Sequence, residues 1–115
     1  VSGFKVTVEG LDKVMNDFSD KGRRAQDRAD KVTETYTRKM ANEASGNAPV
    51  KTGDLRADIA ASPKRLGKAS WQYGSTLDYA EIQEFTHRSK KGFIRKSIWD
   101  NESDYQRSIK REIKR

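Results

Sequence analysis

The chain contains no cysteine and a single histidine, His87. Without thiols there is no disulfide framework, no thiolate nucleophile and no cysteine-ligated zinc, and one imidazole excludes a multi-histidine metal site. Large aliphatic and aromatic residues are also scarce. Leu, Ile, Val and Phe make up 20 of 115 residues, about 17 %, under the roughly 20 % at which a highly charged chain tends to stay disordered. No apolar run approaches the ~18 residues needed to cross a bilayer, so no membrane partner is expected. The stretch beginning at Val1 carries no apolar region of the signal-peptide kind. The expectation is a soluble protein that folds in the cytoplasm and uses no cofactor.

Charge, by contrast, is plentiful. Charged residues are 36 % of the chain and the net charge is +7. The excess is concentrated late: residues 86–115 hold ten Lys or Arg against four Asp or Glu, while residues 1–85 hold fourteen against thirteen. A basic tail of this kind approaches nucleic acid or an acidic protein face, and a solvated helix face accounts for it equally well. The few apolar residues fall at helical and strand periods, which a disordered chain has no reason to show. Residues 1–115 are therefore read as one domain, with a thin core that gains stability from neighbouring subunits.

Phe4, Val6 and Val8 alternate with Lys5, Thr7 and Glu9, the pattern of a half-buried strand ended by Gly10. Leu11, Val14, Met15 and Phe18 mark one face of a helix, and Asp20-Lys21-Gly22 interrupts it. Ala25, Ala29, Val32, Tyr36, Met40 and Ala44 then define a long amphipathic helix from Arg23 to Ser45, whose alanines permit close approach of another backbone. A continuous helix from Leu11 to Ala44 would span roughly 50 Å, against a radius of gyration near ~13 Å for a compact chain of this size. It is expected to break near Gly22 or to extend onto a neighbour. Gly46 is placed to end the helix in the left-handed conformation, and Pro49 prevents re-entry.

After a turn at Thr52-Gly53-Asp54, Leu55–Lys64 and Ser70–Thr76 are expected as strands joined across residues 65–68. Trp71 and Tyr73 share one face, and Pro63 marks a strand end or an edge. Asp78–Phe85 reads as a helical turn with Tyr79, Ile82 and Phe85 three apart and Asp78 as cap. Residues 86–92 read as a basic loop, mobile when unbound. The last helix covers residues 94–114, with Ile94, Ile98, Tyr105, Ile109 and Ile113 as its apolar stripe and Trp99 beside it, both aromatics being assigned to the core. The fold class expected is α+β, a small antiparallel sheet packed against one long helix and a C-terminal helix.

Signs of catalysis are few. His87 sits in the basic loop, where an exposed neutral imidazole is the ordinary state. Glu81 and Glu84 are three apart, a spacing that suits acid–base work or a hard cation but is commonplace in a charge-rich chain. Gly53, Gly67, Gly74 and Gly92 are isolated and form no phosphate-cradling loop, and no serine occupies a nucleophile elbow. Tyr73, Phe93, Trp99 and Tyr105 are aromatics of the type that stack on bases, yet no helix-turn-helix or RNA-recognition signature accompanies them. A small basic nucleic-acid-binding protein stays open as an alternative, and so does a toxin-type ribonuclease.

Ala48-Pro49-Val50-Lys51-Thr52-Gly53-Asp54-Leu55-Arg56 follows the long helix; Tyr79-Ala80 with Glu84 comes next, and then Gly92-Phe93-Ile94-Arg95 opens the last helix. This ordered trio resembles a family of minor structural proteins of long-tailed phages, known as tail-component or neck proteins. In that family a long helix ends in Ala-Pro, a basic residue and Thr-Gly-x-Leu, followed by Tyr-Ala-x-x-x-Glu and a Pro-Phe-Leu-like segment. The resemblance covers residues 4–115. It departs at Phe85, where the family often has Gly, and at Gly92, where it often has Pro.

The resemblance implies a non-enzymatic, ring-forming virion protein at the head–tail connector, as a neck or tail-completion protein assembled in the host cytoplasm. It implies as partners the chain itself, as a hexameric ring by the general build of such tails, together with neighbouring connector and tail-tube proteins. Interface positions carried over from the motif are Pro49, Lys51, Thr52, Gly53, Leu55, Arg56, Tyr79, Ala80, Glu84 and Phe93. Arg88, Lys90, Lys91, Arg95 and Lys96 are the candidates for non-specific contact with passing DNA or with an acidic partner. A plain structural turn explains Thr52-Gly53-Leu55 as well as partner contact does.

Overall fold

A computed structural model describes residues 3–10, 20–49, 53–77, 80–86 and 90–114. The elements are β1 (Phe4–Glu9), α1 (Asp20–Asn47), α2 (Asp54–Ala60), β2 (Lys64–Gly67), β3 (Ser70–Ser75), α3 (Ala80–Thr86) and α4 (Phe93–Lys114). The strands form one antiparallel sheet in the order β1-β3-β2, so the central strand is the one with the large aromatics. Val6 pairs with Tyr73 and Val8 with Trp71. Paired residues share a face, and Val8, Trp71 and Tyr73 are buried together against α1. This is the expected α+β arrangement of a small sheet on a long helix and a C-terminal helix.

Helix α1 is continuous through Gly22, and its 28 residues correspond to about 42 Å at ~1.5 Å per residue. The molecule is accordingly elongated, 49 Å in its longest dimension with a radius of gyration of 15.4 Å. The same chain supplies a cover for this length, because α4 lies along α1. Ala29, Met40, Ala41 and Ala44 of α1 are buried, as are Ile94, Tyr105 and Ile109 of α4. The close approach that the alanines permit is thus used inside the protomer.

Polar side chains add register to this seam. Thr33 Oγ1 lies 2.8 Å from Tyr105 OH and 2.8 Å from the Ala29 carbonyl. Asn101 Nδ2 donates to Glu43 Oε1 at 2.8 Å and to the Ser97 carbonyl at 2.7 Å. Tyr73 OH and Ser97 Oγ, 2.8 Å apart, link the sheet to α4. Every buried side-chain nitrogen and oxygen among the described residues has a partner, so the seam avoids the penalty of stranded polar groups.

Three sequence expectations are corrected in the middle of the chain. Residues 55–64 are not a strand: 54–60 form α2, and only Lys64–Gly67 is extended. Leu55, Ala57 and Ile59 alternate as a strand would, but Leu55 and Ile59 are also four apart. Both are buried, which is the helical solution of the same pattern. Gly46 does not end α1 in the left-handed region, since the helix runs to Asn47. The hairpin turn is also shorter than expected, because β2 takes up residues 65–67 and Lys68-Ala69 makes the connection.

Ala69 adopts φ 53°, which is costly for a residue with a Cβ. Asp30 of α1 holds it there, accepting from Ala69 N at 2.7 Å, Trp71 Nε1 at 3.2 Å and Arg65 Nε at 3.2 Å. Burial works against ionising Asp30, but these hydrogen bonds outweigh it and keep its carboxyl below the ordinary value.

Candidate functional site

The motif residues build two corners. At the first, the chain leaves α1 and enters α2. Gly53 takes φ 88°, in the left-handed region, and its carbonyl accepts from Ala57 N at 3.1 Å to start the short helix. A glycine meets that conformation without the Cβ clash that other residues pay for. Leu55 turns inward and is buried in the core cluster that also holds Ala48. Arg56 faces back to the end of α1, where its Nε donates to the Ala48 carbonyl at 3.0 Å while Ser45 Oγ donates to the Arg56 carbonyl at 2.8 Å. A cation at a helix C-terminus satisfies a carbonyl that has no partner within the helix.

The second corner joins α3 to α4. Glu84 has a fully buried side chain. Its Oε1 accepts from Ile94 N at 2.7 Å, and its Oε2 accepts from Arg95 N at 3.2 Å and Arg95 Nε at 2.6 Å. A carboxylate therefore sits on the first turn of α4, where free N–H groups and the helix dipole favour negative charge. The Glu84 carbonyl accepts from Gly92 N at 2.6 Å and Arg95 Nη2 at 3.2 Å. Gly92 has φ 80°. Proline holds φ near −65° and has no N–H, so the turn as formed here requires the glycine. Phe93 is buried behind it.

On the outside of this corner lies a cluster that combines apolar exposure with charge. The Arg95 guanidinium carbon is 4.3 Å from the Phe85 ring centroid and 5.9 Å from that of Trp99. Phe4 of β1 meets Phe85 edge-on at 5.5 Å. Phe85 is 47 % exposed and Trp99 66 %. Aromatic residues and Arg are enriched in protein interfaces relative to the rest of the surface, so this cluster is the candidate docking surface.

Residues 11–85, about two-thirds of the chain, match the model of a protein family described as "Bacteriophage HK97-gp10, putative tail-component". The chain belongs to this family. Comparisons with curated proteins and with solved structures gave no match. Membership in a tail-component family supports a structural role in the virion and contact with other tail proteins. The matched segment includes the whole first corner and Glu84 but stops before Arg95, so the second corner joins a matched residue to one outside the match.

In this tail component the motif positions mostly face inward. Leu55, Ala80, Glu84 and Phe93 are buried, Gly53 sets a turn, Arg56 clamps α1, and Pro49 is half-buried. Lys51, Thr52, Tyr79 and Arg88 lie outside the described residues, as do His87, the side chain of Glu81 and the helix expected over residues 11–18. Of the basic candidates, Arg95 is held by Glu84, Lys96 donates to Asp100 Oδ2 at 2.6 Å, and Lys90 and Lys91 are exposed.

Trp99 is not core, contrary to expectation: one residue past Ile98 is a 100° rotation around the helix, which carries it off the buried stripe. Its exposure is legible in that offset. Phe85, expected on one face with Tyr79 and Ile82, is exposed as well. Among the described residues no group of three or more His, Cys, Asp or Glu side chains is placed to hold a metal ion.

Proposed function

We propose that the protein is a ring-forming joint at the head–tail connector of a long-tailed phage, a neck or tail-completion protein that works by docking rather than by catalysis. The observation that carries this is where the motif residues go. The described ones form two hydrogen-bonded corners, and the second of these presents Phe85, Arg95 and Trp99 outward as a surface instead of lining a cleft. In this role the aromatic cluster meets a neighbouring connector or tail-tube protein. Exposed Lys90 and Lys91 face an acidic neighbour or passing DNA.

Light scattering and native mass spectrometry of the purified chain test the reading. A closed ring of identical subunits, six by the general build of such tails, is the expected result, together with no cleavage of RNA. A monomer that degrades RNA would overturn it. DNA contact made through phosphates alone should fade by ~0.3 M salt, and persistence above that would point to a dedicated DNA-binding protein.

A further inference from the structure

We propose that copies of this chain join head to tail through the two free edges of the sheet, β1 of one copy receiving β2 of the next. The proposal deepens the ring reading and rests on it. In the order β1-β3-β2 both outer strands have, among the described residues, one edge without a strand partner, on opposite sides of the sheet. Free edges present rows of unpaired N–H and C=O groups and are normally blunted. β1 is the longer of the two and carries neither bulge nor proline: its six residues pair with β3 in unbroken register, with Lys5 and Glu9 as its exposed charges.

Beyond its free edge runs a groove of about 190 Å³ between β1 and α4. Its lining is mixed: Val6 and Ile98 are half-buried over a floor of buried Val8, Met40 and Tyr105, Thr7 and Gln106 are polar, and Glu9 and Glu102 are exposed acids on its wall. No residue of β3 lines it, which places it on the unpaired side of β1.

β2 has the complementary character. Its register with β3 shifts between Arg65 and Gly67, and at that shift Leu66 is 48 % exposed. Arg65 and Lys68 are occupied by Asp30 and Asp27. Lys64 is exposed and makes no ion pair among the described residues, which leaves one apolar side chain and one cation for a partner. A leucine near a lysine suits a groove with an apolar floor and two carboxylates on its wall. The two surfaces differ, so the contact is heterologous, and successive contacts of this kind close into a ring when the rotation per copy permits it. The short, bulged β2 limits backbone pairing to a few residues, which keeps the contact dependent on Leu66 and the charges.

Charge reversal with reciprocal rescue tests this by sedimentation and native mass spectrometry. Lys64→Glu alone and Glu102→Lys alone should each weaken assembly at least tenfold, with melting temperatures within a few degrees of the parent chain. Equimolar mixing of the two variants should restore rings, because each then meets an opposite charge on both sides. Leu66→Ser should weaken assembly without rescue by either partner. Rings that persist in the reversed variants, or a loss that mixing does not repair, would overturn the edge contact while leaving the ring reading intact. A parent chain that stays monomeric at every concentration would overturn both.

Discussion

Glu84 and Arg95 meet at 2.6 Å, the carboxylate fully enclosed and the guanidinium 33 % exposed. The pair does two things at once. The carboxylate caps α4 from inside, and the guanidinium sits against the exposed aromatics, so a buried interaction sets the shape of an outer surface.

Replacing Glu84 by alanine should therefore be severe. It strands the first-turn amides of α4 and leaves Arg95 unpaired in a partly buried position, for a loss of about 3 kcal/mol in urea denaturation. Glu84→Gln keeps an acceptor for Ile94 N but not the charge, and about half that loss is expected.

The α1–α2 corner should respond in smaller steps. Arg56→Ala removes the bond to Ala48 and should cost about 1 kcal/mol. Gly53→Ala forces a Cβ into the left-handed region and should cost about 1–2 kcal/mol. The two sites share one turn, so a double variant measured by chemical denaturation should depart from additivity.

Trp99→Ser should separate folding from assembly. With 66 % of Trp99 already exposed, stability should stay within about 0.5 kcal/mol of the parent chain. Incorporation into tails in an infection-complementation assay should fall sharply. Normal incorporation would remove the aromatic cluster from the docking role.

Alkaline pH should weaken the fold through Tyr73. Burial pushes its hydroxyl up from 10 to about 12, helped by the negative charges of Glu84 and Glu43 and opposed by the hydrogen bond with Ser97. The neutral form is favoured in the folded state, so the contribution is intact below pH ~10. It is lost between there and pH ~12, as the unfolded chain ionises first. Tyr73→Phe should flatten this decline in thermal melts across that range, at a cost of about 1 kcal/mol from the lost bond with Ser97.

Much of the fold was legible in the chain because its signals are local. Alternation over residues 4–8, the long 3–4 spacing from Ala25 to Ala44 and the stripe from Ile94 to Ile109 each follow from the geometry of one element, and each element is present. Where two geometries fit one pattern, local spacing failed. Leu55, Ala57 and Ile59 satisfy a strand and a helix alike, and the left-handed Gly53 together with burial of Leu55 and Ile59 in the core that includes Ala48 selects the helix.

The candidate site divides in the same way. Its residue types and their order identified the family from the chain itself, because turn chemistry at Gly53 and the Glu84-to-Phe93 spacing are written in sequence. That Glu84 is enclosed and that Arg95 is neutralised against Phe85 depend on where α3, α4 and β1 converge. Such convergence is set by packing among residues far apart in the chain, and no local pattern encodes it.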